Sequence, residues 1–369
     1  MSKYSLPHGT SASPLFMRNL IVWGLPLIGW LVLIVAWLTF SSSDDKAPVA
    51  EPDQPAQVAQ PQPAGSPVAP APAQTAPAEQ ATTQSTPQPA EVATLPQSAQ
   101  PIVKTPYDFN GAVSKIGLEK ESACNTGILV DLDMRKVLWA KNANRAVPIA
   151  SMTKMMTMLI VEEAIAQGQI TRETIIPVTK TAYSIGGSQV WLDPRESFPL
   201  NELMKAIAIK SANDAAYLVS EYLGNGDVNQ FVDRMNMRAR ELGMNHSSFY
   251  DAHGLGDKSK RNNLSSAYDM AVLAERLLDY PEVMKLAATR MDTFRNGKTE
   301  LRNHNNLVYH KVPGVDGLKT GFTNASGYCV TFTCKRGDRR LIGCVTGFKT
   351  AKDRDKFCRA LLDWGYMQK

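Results

Sequence analysis

Ser151-MTKMMTMLIVEEAIAQ-Gly168 opens on a serine, carries a lysine one turn later and then runs as an almost uninterrupted apolar stretch. The run predicts a helix from Ser151 to Gln167 that is buried on most of its circumference. Residues three apart share a helix face, so the Ser151 hydroxyl and the Lys154 amine can lie side by side. A serine hydroxyl is a poor nucleophile at neutral pH and needs an adjacent base. Lysine can be that base when burial or a neighbouring cation lowers its pKa. Alone, Ser-x-x-Lys equally describes a capping serine followed by a solvated lysine. The rest of the chain has to decide between the two.

Upstream of this helix the chain changes character three times. Residues 1–19 form a short polar tail with Lys3 and Arg18. Residues 20–40, LIVWGLPLIGWLVLIVAWLTF, contain no charge and are long enough to cross a bilayer as a helix. Basic residues before the segment and Asp44 and Asp45 after it predict a cytoplasmic N-terminus and an exported remainder. A cleaved signal peptide is the competing reading. Its apolar core is ordinarily shorter, and Leu38-Thr39-Phe40 offers no small-residue cleavage site, so the segment is read as an uncleaved anchor. Residues 41–106 are dominated by Pro, Ala, Gln, Thr and Ser without apolar periodicity, which predicts a disordered, partly polyproline linker. Stretched out at ~3.1 Å per residue it could reach roughly 200 Å from the membrane.

From 107 to 369 the composition is globular and sufficient for one sizeable core. Thr126-GILVDLDMRKVLWAKN-Ala143 reads as two strands joined by a polar turn. Leu200–Lys210 and Ala215–Gly224 read as helices separated by Ser211-Ala212-Asn213-Asp214, and 227–242 and 265–278 as two more. Arg295-Asn296-Gly297-Lys298 carries a hairpin signal. The strands Val315–Gly321, Tyr328–Cys334 and Leu341–Phe348 come next, as antiparallel neighbours, before a closing amphipathic helix from Lys352 to Met367. Strands at both ends with helices between them predict an α+β domain, an antiparallel sheet flanked by helices.

Composition excludes several classes. Five cysteines are too few for a disulfide scaffold; Cys329, Cys334 and Cys344 fall in predicted strands and read first as small buried apolar residues, with a disulfide within one pair of them as the second reading. The five histidines are scattered, and no Cys/His spacing suggests a metal. The tail carries +2 and the linker −4, so the chain's net +5 leaves +7 on the globular part. That suits an anionic polymer. No motif supports nucleic-acid binding.

Three short pieces stand in order: Ser151-x-x-Lys154, Ser211-x-Asn213 and Lys319-Thr320-Gly321. Ser211 and Asn213 could cap the following helix, and Lys319 could guard an edge strand. Gly321, without a side chain, would let a ligand's backbone lie against that strand. Together the three pieces resemble the motif set of penicillin-binding proteins and class A β-lactamases. Ala146-VPIASMTKMMT, Val190-WLDP, Ser211-ANDAA, Tyr250-DAHGL, Asn303-HNNLV and Pro313-GVDGLKTGFTNASGYC extend the likeness over nearly all of the globular part. The chain resembles the low-molecular-mass branch, the serine D-alanyl-D-alanine carboxypeptidases and their D,D-endopeptidase relatives.

The resemblance implies an α/β transpeptidase-like (β-lactamase-type) sheet beside an all-helical subdomain bearing the Ser-x-Asn loop. It implies that Ser151 attacks the carbonyl between two D-alanines of a peptidoglycan stem peptide, with Lys154 as base. Ser211 would relay the proton to the leaving amine, and Asn213 would hold the substrate amide. Lys319 and Thr320 would bind its carboxylate or raise the positive field. The backbone N–H groups of Ser151 and Phe322 would form the oxyanion hole. No metal or organic cofactor is implied, and β-lactams would be covalent inhibitors. No loop after Asn213 matches the deacylating glutamate of the class A enzymes, so penicillins should leave Ser151 slowly. The implied enzyme is tethered to the cytoplasmic membrane with its catalytic domain outside. The classical carboxypeptidases of this family carry a β-rich second domain after the closing helix; none is expected here, and shorter members without one include endopeptidases. Carboxypeptidase is the first reading, endopeptidase the second. A catalytically weak module that binds peptidoglycan or β-lactams is the third.

Overall fold

The computed structural model describes residues 105–368 apart from 257, 258 and 260. The expected membrane segment at 20–40 and the linker as far as residue 104 lie outside the described residues. Among the described residues no helix is long and apolar enough to cross a membrane.

Five antiparallel strands form the main sheet: β1 (Gly127–Asp131), β2 (Lys136–Lys141), β3 (Val315–Thr323), β4 (Gly327–Arg336) and β5 (Arg339–Phe348), in the spatial order β2-β1-β5-β4-β3. The two chain ends therefore meet at its centre, with Leu129 opposite Gly343. Alternation along β1 sends Ile128 and Val130 into one apolar layer and Leu129 into the other. The sheet is thus buried on both faces, which is why β1 is apolar throughout rather than alternating. One edge, β2, is covered by the segment before it, through bridges from Asp108 to Lys136 and from Val113 to Trp139. The other edge is β3, which carries Lys319-Thr320-Gly321, as expected of an edge strand.

The five helices that matter for the site are α1 (Lys154–Ala166), α2 (Asn213–Leu223), α3 (Val228–Glu241), α4 (Ala267–Leu277) and α5 (Ala351–Met367). The α4 helix packs on one face of the sheet and α5 on the other. Ten of the thirteen residues of α1 are buried, Lys154 included, so it is the central post between α4, α3 and α2.

Three expectations are corrected in detail. Ser151 does not begin the α-helix; it lies in a 3₁₀ turn, Ala150–Thr153, entered through Ala150 at φ 46°. With three residues per turn, positions i and i+3 eclipse, which brings Ser151 over Lys154 more directly than an α-turn would. The predicted helix 200–210 is α only to Lys205 and continues as a π-turn, Ala206–Lys210. The expected all-helical subdomain is not purely helical. Ile175–Pro177 pairs with Ser197–Pro199, and Met291–Phe294 with Thr299–Arg302 around the predicted Asn-Gly turn. These short ladders hold the loops that helices alone would leave unpaired.

Candidate active site

Lys154 fixes the geometry. It is fully buried, and its Nζ donates to three oxygens: Asn213 Oδ1 at 2.6 Å, the His253 carbonyl at 2.6 Å and Ser151 Oγ at 3.0 Å. Of these only the serine hydroxyl can also donate. A neutral amine keeps two hydrogens and one lone pair. With the hydrogens committed to the amide and carbonyl oxygens, the lone pair faces Ser151. Burial and then the Lys319 ammonium push Lys154 well below its ordinary pKa, against the opposite pull of Asp251 and Asp214. The arrangement is that of a serine nucleophile beside a lysine base.

The carbonyl of His253 is aimed by Asp251. That carboxylate accepts the N–H groups of His253 (2.7 Å), Gly254 and Gly256 (2.8 Å), folding residues 251–256 into a tight loop. Thr157 Oγ1 donates to the Ala252 carbonyl at 2.6 Å, and Asn263 Nδ2 bonds both Thr153 Oγ1 and the Asp251 carbonyl. Gly254, at φ 94°, packs so tightly that a Cβ would sit 2.1 Å from the Ala150 carbonyl oxygen and 2.8 Å from Ser151 N. This loop is the part of the site that sequence reasoning missed. Tyr250-DAHGL signalled family likeness only, because the working group at 253 is a backbone carbonyl and carries no residue identity.

Ser211 and Asn213 arrive from a different direction. Ser211 is not a cap. It ends the π-turn at φ 62°, and α2 begins at Asn213 with Ala212 in the cap position and no side-chain cap bond. The Ser211 hydroxyl is buried with no hydrogen-bond partner, and it does not reach Lys154. An unpaired buried hydroxyl is costly unless a substrate or water meets it. Asn213 is tied on both sides, to Lys154 through Oδ1 and to the Gly186 carbonyl through Nδ2 at 2.8 Å. One lone pair and one hydrogen of the carboxamide remain for a substrate.

The β3 edge closes the site. Ser151, Ser211, Asn213, Thr320, Gly321 and Phe322 line one cleft of about 430 Å³. Lys319 does not. It is 2% exposed, its Nζ donates to the Thr320 carbonyl at 3.1 Å, and burial with the Arg354 charge lowers it to about 7. This position suits a positive field, on Lys154 and toward the carboxylate site, rather than direct contact with a substrate carboxylate, leaving Thr320 to face a ligand. The reason expected for Gly321 also changes. A Cβ there would lie 2.5 Å from the Ile149 carbonyl oxygen, so the missing side chain makes room for the segment that carries Ser151. Phe322 is half exposed and stacks on Tyr328 at 4.1 Å. His304 and Arg354, neither singled out from sequence, also line the cleft. The imidazole of His304, exposed on its outer side, is held below its ordinary pKa by the partial burial of its ring and by the Lys319 and Lys210 charges. No carboxylate is among the described lining residues, and Arg354, itself paired with Asp355 at 2.6 Å, is the one permanent cation there, which leans the cleft toward an anionic ligand. All five cysteines are free and buried, Cys329, Cys334 and Cys344 in strands of the main sheet.

Residues 114–350 match the peptidase S11 family, described as D-alanyl-D-alanine carboxypeptidase. The D-alanyl-D-alanine carboxypeptidase DacF of Bacillus subtilis (strain 168) is 39% identical over 258 residues, 69% of this chain and 64% of its own length. A D-alanyl-D-alanine endopeptidase of Escherichia coli (strain K12) is 30% identical over 240 residues, 64% of this chain and 73% of its own. Penicillin-binding protein D2 of Listeria monocytogenes, solved in its ampicillin-bound form, superposes with a TM-score of 0.60 at 29% identity. That superposition covers 66% of this chain and 97% of the D2 chain. The chain thus spans less than two thirds of DacF's length.

Proposed function

Because the chain belongs to the D-alanyl-D-alanine carboxypeptidase family, we propose that it is a membrane-tethered serine D,D-carboxypeptidase that trims peptidoglycan stem peptides. The observation that carries the proposal is the buried amine of Lys154, 3.0 Å from Ser151 Oγ with its other hydrogens held by two obligate acceptors. Neutral Lys154 takes the hydroxyl proton as Ser151 Oγ bonds to the carbonyl carbon between two D-alanines. The backbone N–H groups of Ser151 and Phe322 receive the oxyanion. The C–N bond breaks, Lys154 gives the proton to the leaving amine, directly or through Ser211 once a bound substrate or water spans the gap between them, and D-alanine departs. Water then cleaves the Ser151 ester, returning the hydroxyl and releasing the shortened peptide as a carboxylate. Thr320 and the field of Lys319 and Arg354 hold the substrate carboxylate.

Penicillins would acylate Ser151 by the same first step, a reading supported by the likeness to the ampicillin-bound D2 protein. The uncharged stretch 20–40 supports the tether, and the composition of 41–106 supports reach toward the wall. The endopeptidase relative keeps a second reading open, cleavage of cross-links by the same residues. Mass spectrometry of muropeptides incubated with the full-length chain in detergent, with Ser151→Ala as control, separates the readings. Loss of one alanine from a pentapeptide is the expected result. Conversion of cross-linked dimers to monomers would move the assignment to endopeptidase. Covalent penicillin labelling without any peptide product would overturn both and leave a binding module.

A further inference from the structure

Trp191 is 66% exposed although Val190 and Leu192 on either side of it are fully buried. A single exposed apolar side chain is ordinary. Here the exposure is built. The backbone of Trp191 is left-handed, φ 52°, a conformation disfavoured for a bulky side chain. The buried carboxylate of Asp214 accepts the N–H groups of Val190 (3.1 Å) and Leu192 (3.2 Å). Arg295 donates to two carbonyls of the same segment, Val190 at 2.5 Å and Trp191 at 2.6 Å. Arg295 is itself held by Glu196 at 2.8 and 2.7 Å and lies against Phe198 and Phe294. One result of this clamp is to turn an indole ring outward at a fixed place. Backbone strain maintained by so many contacts is a reasonable pointer to function.

The place is close to the candidate cleft along the chain. Ser188, three residues earlier, lines the cleft, so Trp191 is within about 11 Å of it by chain length. In a stem pentapeptide, four residues separate the scissile bond from the sugar, an extended reach of about 13 Å. Two and four residues further along the chain, Asp193 and Arg195 form a bidentate pair at 2.9 and 2.6 Å, with the guanidinium largely exposed. An exposed aromatic face with a fixed polar pair close to it in the chain offers both kinds of contact to a ring that is apolar on its faces and polar around its rim.

We propose that Trp191 is a platform for an N-acetylated hexosamine of the glycan strand, which positions the attached stem peptide in the cleft. The C–H face of the pyranose covers the indole, while its hydroxyl and acetamido groups meet Asp193 and Arg195. This proposal rests on the D,D-peptidase reading. The structural alternative is that the clamp exists for Val190 and Leu192, which pin the cleft wall, and that the indole is only their by-product.

The test compares a free stem pentapeptide with the same peptide on its disaccharide, using the full-length chain in detergent with and without Trp191→Ala, and Trp191→Phe as the conservative variant. The expected result is a KM lower for the sugar-bearing substrate, with Trp191→Ala raising that KM by roughly 3- to 10-fold, as one aromatic contact predicts. Its kcat would stay near the wild-type value, and Trp191→Phe would restore most of the loss. A second arm measures binding of a chitin tetramer to Ser151→Ala and to the double variant, and needs no turnover. Equal losses on free and sugar-bearing peptide, or no sugar preference in the wild type, would overturn the platform. Tetramer binding that needs Trp191, found together with no peptide product, would keep the platform and overturn only the carboxypeptidase reading.

Discussion

At the scale of single residues, the site rests on two lysines kept out of water. Burial disfavours the charged form of both, the Lys319 ammonium disfavours that of Lys154, and the Arg354 guanidinium disfavours that of Lys319. Lys319 falls to about 7 and Lys154 well below its ordinary value, both with burial as the larger cause. The linkage follows directly. An unfolded lysine holds its proton to about pH 10.4, so between about 7 and 10.4 the unfolded state binds more protons, and stability rises with pH. Below about 7 the penalty of the buried Lys319 charge is present in full. Lys319→Met is therefore expected to raise the melting temperature at pH 6, by on the order of 5 °C. The advantage should shrink as the pH approaches 10. Penicillin labelling would fall, and the pH below which it is lost would move upward, because Lys319 no longer depresses Lys154. A melting difference that stays constant from pH 6 to 10 would mean that Lys319 is not buried as a strained base.

Among the elements, the turn that carries Ser151 is held by close backbone approaches from two sides, the loop 251–256 and strand β3. Gly254 and Gly321 are where these approaches occur. Gly254→Ala places a methyl group against the Ala150 carbonyl, and its φ of 94° is poorly suited to alanine. The turn must shift, and a misplacement of about 1 Å costs about 100-fold in rate. Penicillin labelling monitored by intact-protein mass should slow by about that factor, with a stability loss of about 1–3 kcal/mol. Gly243→Ala is the matching control. Gly243 is also left-handed, but nothing lies within 4 Å of its Cβ position, so it should lose about 1 kcal/mol and label at the wild-type rate. Comparable slowing in both variants would show that general destabilisation, not the contact with the turn, sets the rate.

For the whole molecule, two apolar layers share one sheet, and the cysteines sample both. Cys329 and Cys344 lie in the layer around α1 and α4, and Cys124, Cys334 and Cys358 in the layer under α5. Burial raises these thiols, Cys329 to about 11 and Cys124 to about 12, and a buried thiol is unreactive. Native protein should give almost no reaction with a thiol reagent, and all five cysteines should appear in a single step as denaturant rises. Two separate steps would show that the layers unfold independently and that the sheet does not couple them. The same architecture explains how far the sequence could be read. Apolar periodicity and turn chemistry act locally, so the strands at both ends, the hairpin at Asn296-Gly297, the buried α1 and the order of the three catalytic pieces were all legible in the chain. Locality also marks where reading stopped. The 3₁₀ turn at Ser151 and the π-turn before Ser211 are imposed by neighbours far away in sequence. So are the His253 carbonyl on Lys154 and the space that Gly321 leaves for Ile149. What the sequence alone determined was which groups could do the chemistry. The tertiary structure alone decided which of them face the cleft, which stand behind it as a field, and which backbone atoms complete the base, because those outcomes depend on packing between segments up to some 170 residues apart.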